Sequence, residues 1–146
     1  MPTFARLVAA ALFGVLAYHV STFIPPIFED ERPLPALPYW NAFFGVLLGW
    51  RQAGRVAGRG FGASVSSGLT TSVSLFVVCL FAHSFAEMID RSMRGQYGGP
   101  AEAVVAVFNL MYEFGERIFT TEVIVTTIVG GIAAAMVTEV FARRYD

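Results

Sequence analysis

The sequence predicts an all-α integral membrane protein, a bundle of four transmembrane helices plus one interfacial amphipathic helix. Three observations lead there. Apolar residues make up 55% of the 146-residue chain, and the mean hydropathy is +0.61. Charged residues fall to 14%, against roughly 25% in an ordinary soluble domain. The apolar residues are also gathered into runs long enough for a hydrocarbon core of roughly 30 Å, and these runs are bounded by proline, glycine and arginine. A soluble fold of this length, a single domain, could not hide so much apolar surface.

The first span is expected over about 3–24, interrupted only by Arg6, Tyr18, His19, Ser21 and Thr22 within its apolar stretch. An uncleaved span is expected rather than a signal peptide, since no Ala-x-Ala site follows the apolar run. Pro25-Pro26 ends this helix, because proline lacks the N–H and clashes with the preceding turn. Five prolines between 25 and 38 then surround Glu29-Asp30-Glu31-Arg32, an extended acidic loop. The second run, Tyr39–Trp50, is short enough to be re-entrant. Continued through Ala57, with Arg51 and Arg55 snorkelling to headgroups, it makes a span over about 38–57.

Gly54, Gly58, Gly60 and Gly62 mark a turn, and the third span follows over about 63–86. Its first half is rich in Ser and Thr, which can bond to their own helix backbone and pack closely on a neighbour. Residues 87–96 are charged, and Gly98-Gly99-Pro100 breaks the chain. Pro100 and Glu102 suit the first turn of a new helix over about 100–117. There Glu102, Asn109, Glu113 and Glu116 share one face, so this helix is expected to lie on the membrane surface. Thr120-Thr121-Glu122 caps the last span, about 121–142, and Arg143-Arg144 ends it. Close packing is expected at Gly45/Gly49, Gly68/Ser72, Gly130/Ala134 and Gly131/Ala135.

With the N-terminus in the cytoplasm, Arg6, Arg51, Arg55, Arg59, Arg143 and Arg144 fall inside, and Arg32, Arg91, Arg94 and Arg117 outside. Both termini are therefore expected in the cytoplasm. The chain carries ten basic residues, all of them arginine, which suits a GC-rich genome. One cysteine excludes an internal disulfide and the cysteine pairs of membrane thiol oxidoreductases.

Two constellations can carry chemistry. Arg51, Arg55 and Arg59 repeat every four residues among glycines, so on a helix they could hold an oxyanion or a phosphate headgroup. Their ordinary role is to anchor topology on anionic lipid headgroups. Cys79, His83 and Glu87 share the same spacing near the outer end of the third span, and His19 lies at similar depth in the first. Thiolate, imidazole and carboxylate could bind a transition metal, and two histidines could ligate one haem. The plain alternative is helix packing and local hydrogen bonding. Neither set is specific enough to assign a cofactor. There is no nucleophile triad, no Walker spacing and no basic aromatic surface for nucleic acid.

The order of several short matches resembles the TrgA family of bacterial tellurite-resistance membrane proteins. They begin with Met1-Pro2-Thr3 and Ala5-Arg6-Leu7-Val8-Ala9-Ala10, then Asn41 ahead of Gly49-Trp50-Arg51, Ala57-Gly58-Arg59-Gly60 and Gly68-Leu69-Thr70. Glu87, Arg91-Ser92, Arg94, Tyr97, Pro100, Glu102-Ala103, Leu110-Met111, Glu113, Gly130-Gly131, Glu139 and Arg143-Arg144 continue it across nearly the whole chain. The resemblance implies a small multi-span protein of the bacterial cytoplasmic (inner) membrane, associated with tolerance of tellurite oxyanion, and supplies no catalytic or binding residues. The expectation is a non-enzymatic membrane component, with an ion, proton or small-solute transporter as one alternative and a metal- or haem-binding redox protein as another. A bundle this small leaves little room for a wide path, which points to a homo-oligomer in the lipid bilayer.

Overall fold

The computed structural model describes residues 3–24 and 36–145, and every regular element among them is helical. The acidic proline-rich connection expected between the first two spans lies mostly outside the described residues. Helix α1 runs Thr3–Ser21. Helix α2, Leu37–Leu48, continues without a break through a π-helical turn, Gly49–Ala53, into a short α3, Gly54–Val56. Helix α4 is Phe61–Met93, α5 is Pro100–Ile118 and α6 is Thr121–Tyr145. Among the described residues, three helices, α1, α4 and α6, are long and apolar enough to cross a membrane.

The helices form a ring. α1 packs on α2 and α6, α4 packs on α6 and α2, and α5 lies against the outside of α4. The interior is small and hydroxylated, with Ala5, Ala9, Ala17, Ser67, Thr71, Ser72, Thr127, Ala135 and Thr138 all buried. The exterior is bulky and apolar, with Leu7, Val15, Phe43, Val73, Phe81, Val129 and Val140 exposed. That inversion is what lipid selects, because tails are as apolar as leucine and helices then associate through close packing rather than hydrophobic burial.

Backbones approach where side chains vanish. A Cβ on Gly45 would strike the Phe13 carbonyl oxygen, and one on Gly49 would lie 2.5 Å from the Ala9 carbonyl oxygen. These two glycines lay α2 on the Ala9–Phe13–Ala17 face of α1. Further along, a Cβ on Gly54 would come within 2.8 Å of Arg6 Cα. The run Leu37–Val56 therefore stays beside α1 from Ser21, bonded to Asn41, back to Arg6 in the first turns. The two small faces expected on α6 serve different neighbours. Gly131 and Ala135 meet Gly68 and Ser72 of α4, whereas Gly130 faces Leu16 of α1 and Ala134 joins the Ala9–Phe13–Ala53 cluster.

Helix α4 continues past the expected boundary at 86. Its 33 residues give about 50 Å of helix, well beyond a hydrocarbon core of roughly 30 Å. The extra turns are held by i,i+4 pairs, Arg91 Nε to Glu87 Oε1 at 2.8 Å and Arg94 with Asp90. Helix α5 begins as its sequence suggests, with Pro100 in the first turn and the Gly98 N–H donating to Glu102 Oε2 at 2.7 Å. Val107 and Leu110 are buried against Met88 of α4. Val104, Val105, Phe108 and Tyr112 form a second, exposed apolar strip, and Glu102, Asn109 and Glu116 a third, polar one. A Phe119-Thr120 link leads into α6, where the Val123 N–H reaches Thr120 Oγ1 at 3.4 Å.

Candidate functional site

A cavity of about 700 Å³ opens between the helices at the end of the bundle where α1 finishes and α2 begins. Helix α4 supplies its longest wall. Because 3.6 residues make a turn, positions four apart fall on nearly one line. Leu75, Cys79, His83, Glu87 and Arg91 therefore succeed one another along the cavity. Asp90, Arg94 and Gln96 complete its mouth, while Val20 of α1, Leu37 of α2, Ile118 of α5 and Val123 of α6 give apolar surface opposite. Polarity thus falls with depth along α4, from ion pairs through imidazole and thiol to Leu75 and Phe76.

One polar chain ties three helices together at this cavity. His83 Nε2 lies 2.7 Å from Asn41 Oδ1, which can only accept, so this nitrogen carries the proton. Asn41 Nδ2 donates to Ser21 Oγ at 2.8 Å, and Ser21 Oγ donates to the Ala17 carbonyl at 2.6 Å. Ser21 is fully buried and Asn41 nearly so. In a low-dielectric interior such a chain is favourable because each member has a partner.

Of the expected metal or haem set, three residues line this cavity and one does not. Cys79, His83 and Glu87 share the cavity wall, but His19 is exposed, packs edge-on against Phe23 and does not line the cavity. Among the described residues, no three His, Cys, Asp or Glu side chains gather to hold a metal ion. His83 is engaged by an amide, and Glu87 is paired with Arg91. Two residues four apart on a helix can share an ion, but Cys79 and Glu87 stand two turns, about 12 Å, apart along α4, and the first span brings no ligand to join them.

The arginine triad also departs from a helical stripe. Arg51 sits in the π turn and Arg55 in α3, but the helix ends at Val56, and Arg59 lies in the following turn. All three are exposed. The backbone N–H groups that could have joined them around an oxyanion already have an acceptor. Gly58 and Gly60 donate to the carboxylate of Glu139, at 2.6 and 2.9 Å, and Ser64 Oγ and Arg143 Nε donate to it at 3.1 and 2.9 Å. Glu139 is completely buried in α6. Gly58 and Gly60 hold φ of +88° and +113°, a region side chains disfavour, and this turns both N–H groups inward. Such paired amides form an anion-binding concavity, filled here by the chain's own carboxylate.

Sequence reasoning passed over Asn41 and Glu139 as site residues. Each carried a signal, a lone amide in the run Tyr39–Trp50 and an acid deep inside the last span, well past Glu122 in its first turn. Ionisable or strongly polar groups at membrane depth are costly and so are placed with partners. Compared with family models, curated proteins and solved structures, the chain finds no match.

Proposed function

We propose that this chain is a four-span inner-membrane protein with α5 as an interfacial helix, and that it works without catalysis by holding a ligand between its helices. The cavity carries this reading, because a space of about 700 Å³ with an ionic mouth and apolar depth is what a ligand site between helices requires. The register of Leu37–Val56 along the whole of α1 supports the fourth span. Arginines support the orientation: Arg6 lies beside Gly54, and Glu139, next to Arg143, holds Gly58 and Gly60, so the cytoplasmic set gathers at one end. The ordered likeness to TrgA proteins supplies the setting, tolerance of tellurite oxyanion.

A strain lacking the gene should grow less well on potassium tellurite, and the wild-type chain should restore it. Cys79→Phe, which projects a ring into the cavity, should reach the membrane at normal level and fail to restore tolerance. Unchanged tolerance in the deletion strain removes the tellurite role. Full rescue by Cys79→Phe removes the cavity as the working part.

A further inference from the structure

The mouth of the cavity has an unusual charge layout. Glu87 and Asp90 each pair with the arginine four residues on, Arg91 and Arg94, at the C-terminal end of α4, and all four line the opening with a formal sum of zero. A free oxyanion drawn to the guanidinium groups would also meet two carboxylates, and a cation would meet two guanidiniums. The bonds already present are weak barriers to exchange. Both pairs are i,i+4 with side chains about one-third to two-fifths exposed, 34%/35% and 41%/40%. Exposed pairs of this kind are worth about 0.3–0.5 kcal/mol each, so a ligand bringing both charges can replace them at little loss. Below this collar comes the band of His83, Asn41 and Ser21, already bonded to one another, and beyond it Leu75, Phe76, Leu80, Ile118 and Val123 give apolar surface. From Leu75 to Arg94 the helix rises by about 28 Å, the outline of an elongated molecule with both charges at one end.

We propose that the cavity is a site for a zwitterionic phospholipid from the surrounding bilayer. Its phosphate takes Arg91 and Arg94, its ammonium takes Glu87 and Asp90, and an acyl chain lies along α4 toward Leu75. The inference rests on the cavity reading above and gives it a ligand class. Arginine matches phosphate oxygens through its planar fork of donors, and carboxylates match an ammonium.

Cys79, the only cysteine, lines this wall and reports occupancy without any substitution. The full chain in detergent is treated with N-ethylmaleimide while short-chain lipids are titrated in. Dihexanoyl-phosphatidylcholine should slow alkylation at least tenfold, with dihexanoyl-phosphatidylglycerol and inorganic phosphate slowing it less than twofold. The double variant Glu87→Gln/Arg91→Gln should lose the preference for the zwitterion. Equal protection by the anionic lipid, or protection by phosphate or tellurite alone, overturns the lipid assignment and leaves the cavity reading standing. Alkylation as fast as in the denatured chain, with no protection by any of these probes, overturns both.

Discussion

At the scale of single residues, Glu139 decides how one end of the bundle is closed. Its carboxylate has no solvent exposure, and four donors from the loop, α4 and its own helix surround it. Alanine at 139 would leave the Gly58 and Gly60 N–H groups and the Ser64 hydroxyl to find water, at a cost of about 1–3 kcal/mol. Glu139→Ala should therefore lower the thermal midpoint followed by far-UV circular dichroism in detergent. Glu139→Gln, which keeps one acceptor, should lower it less, and an unshifted midpoint for both would show the carboxylate to be idle. Asn41 and His83 make a second residue-scale case. Interhelical hydrogen bonds in membrane proteins average about 0.6 kcal/mol, with a maximum near 1.7. A double-mutant cycle with Asn41→Leu and His83→Leu should give a coupling energy in that range, and zero coupling would mean the 2.7 Å contact adds nothing. Glu139 and Asn41 were visible as polar interruptions in apolar runs. Their partners were not, because Gly58 and Gly60 lie 81 and 79 positions away, and only the fold makes them neighbours.

At the scale of elements, helix starts and caps were legible, whereas contacts and the full length of α4 were not. Proline in the first turn of α2 and α5, the Gly98–Glu102 bond and the Thr120 cap all follow from local chemistry that residues carry with them. Small-xxx-small spacing likewise announced close approach on α6, but nothing in a spacing names the helix that approaches. The π turn at Gly49–Ala53 was illegible for the same reason. It occurs where the chain leaves the Gly49 contact with Ala9 and reaches the Gly54 contact with Arg6, and five residues instead of four fit that interval with both glycines facing α1. The division of α6 can be tested by glycine substitution. A Cβ on Gly131 would overlap the Ser72 hydroxyl, which bonds the Gly68 and Thr127 carbonyls at 2.8 and 3.0 Å. Gly131→Ala should cost about 1–3 kcal/mol, the usual range for overpacking. At Gly62, in the first turn of α4, an added Cβ meets nothing within 4 Å. Gly62→Ala should be neutral or stabilising by up to roughly 1 kcal/mol, since alanine loses less backbone entropy than glycine in a helix. Equal destabilisation by both substitutions would mean that backbone contact between α4 and α6 is not what the glycine provides.

For the molecule as a whole, the decisive question is whether α5 lies on the membrane or crosses it. Its 19 residues would reach about 28 Å, so length alone permits either. Its packing and surface bear on the choice: Val107 and Leu110 lie on Met88, Gly115 faces Leu80 and Phe119 meets Phe76, so α5 runs antiparallel back along α4. One strip is buried on α4, the next is apolar and exposed, and the third carries Glu102, Asn109 and Glu116 from the first turn to the last. A crossing helix would drag that polar strip through lipid, where an acid at the centre costs about 2.5–3.5 kcal/mol on insertion scales. A surface helix instead presents the apolar strip to acyl chains and the polar one to water. The number of crossings then fixes the ends of the chain. With four spans and α5 outside, Arg55→Cys and Tyr145→Cys in a Cys79→Ser background should resist a membrane-impermeant maleimide in intact cells. Ser92→Cys and Glu116→Cys should both react. If α5 crosses, the pattern changes in a recognisable way: Glu116→Cys becomes protected and Tyr145→Cys becomes reactive, because α6 then runs outward. That result would also separate the arginines of the α6 end from those of the Gly54–Gly60 turn. The Glu139 contacts with Gly58 and Gly60 hold those two regions together, so five crossings and the observed latch cannot both be true.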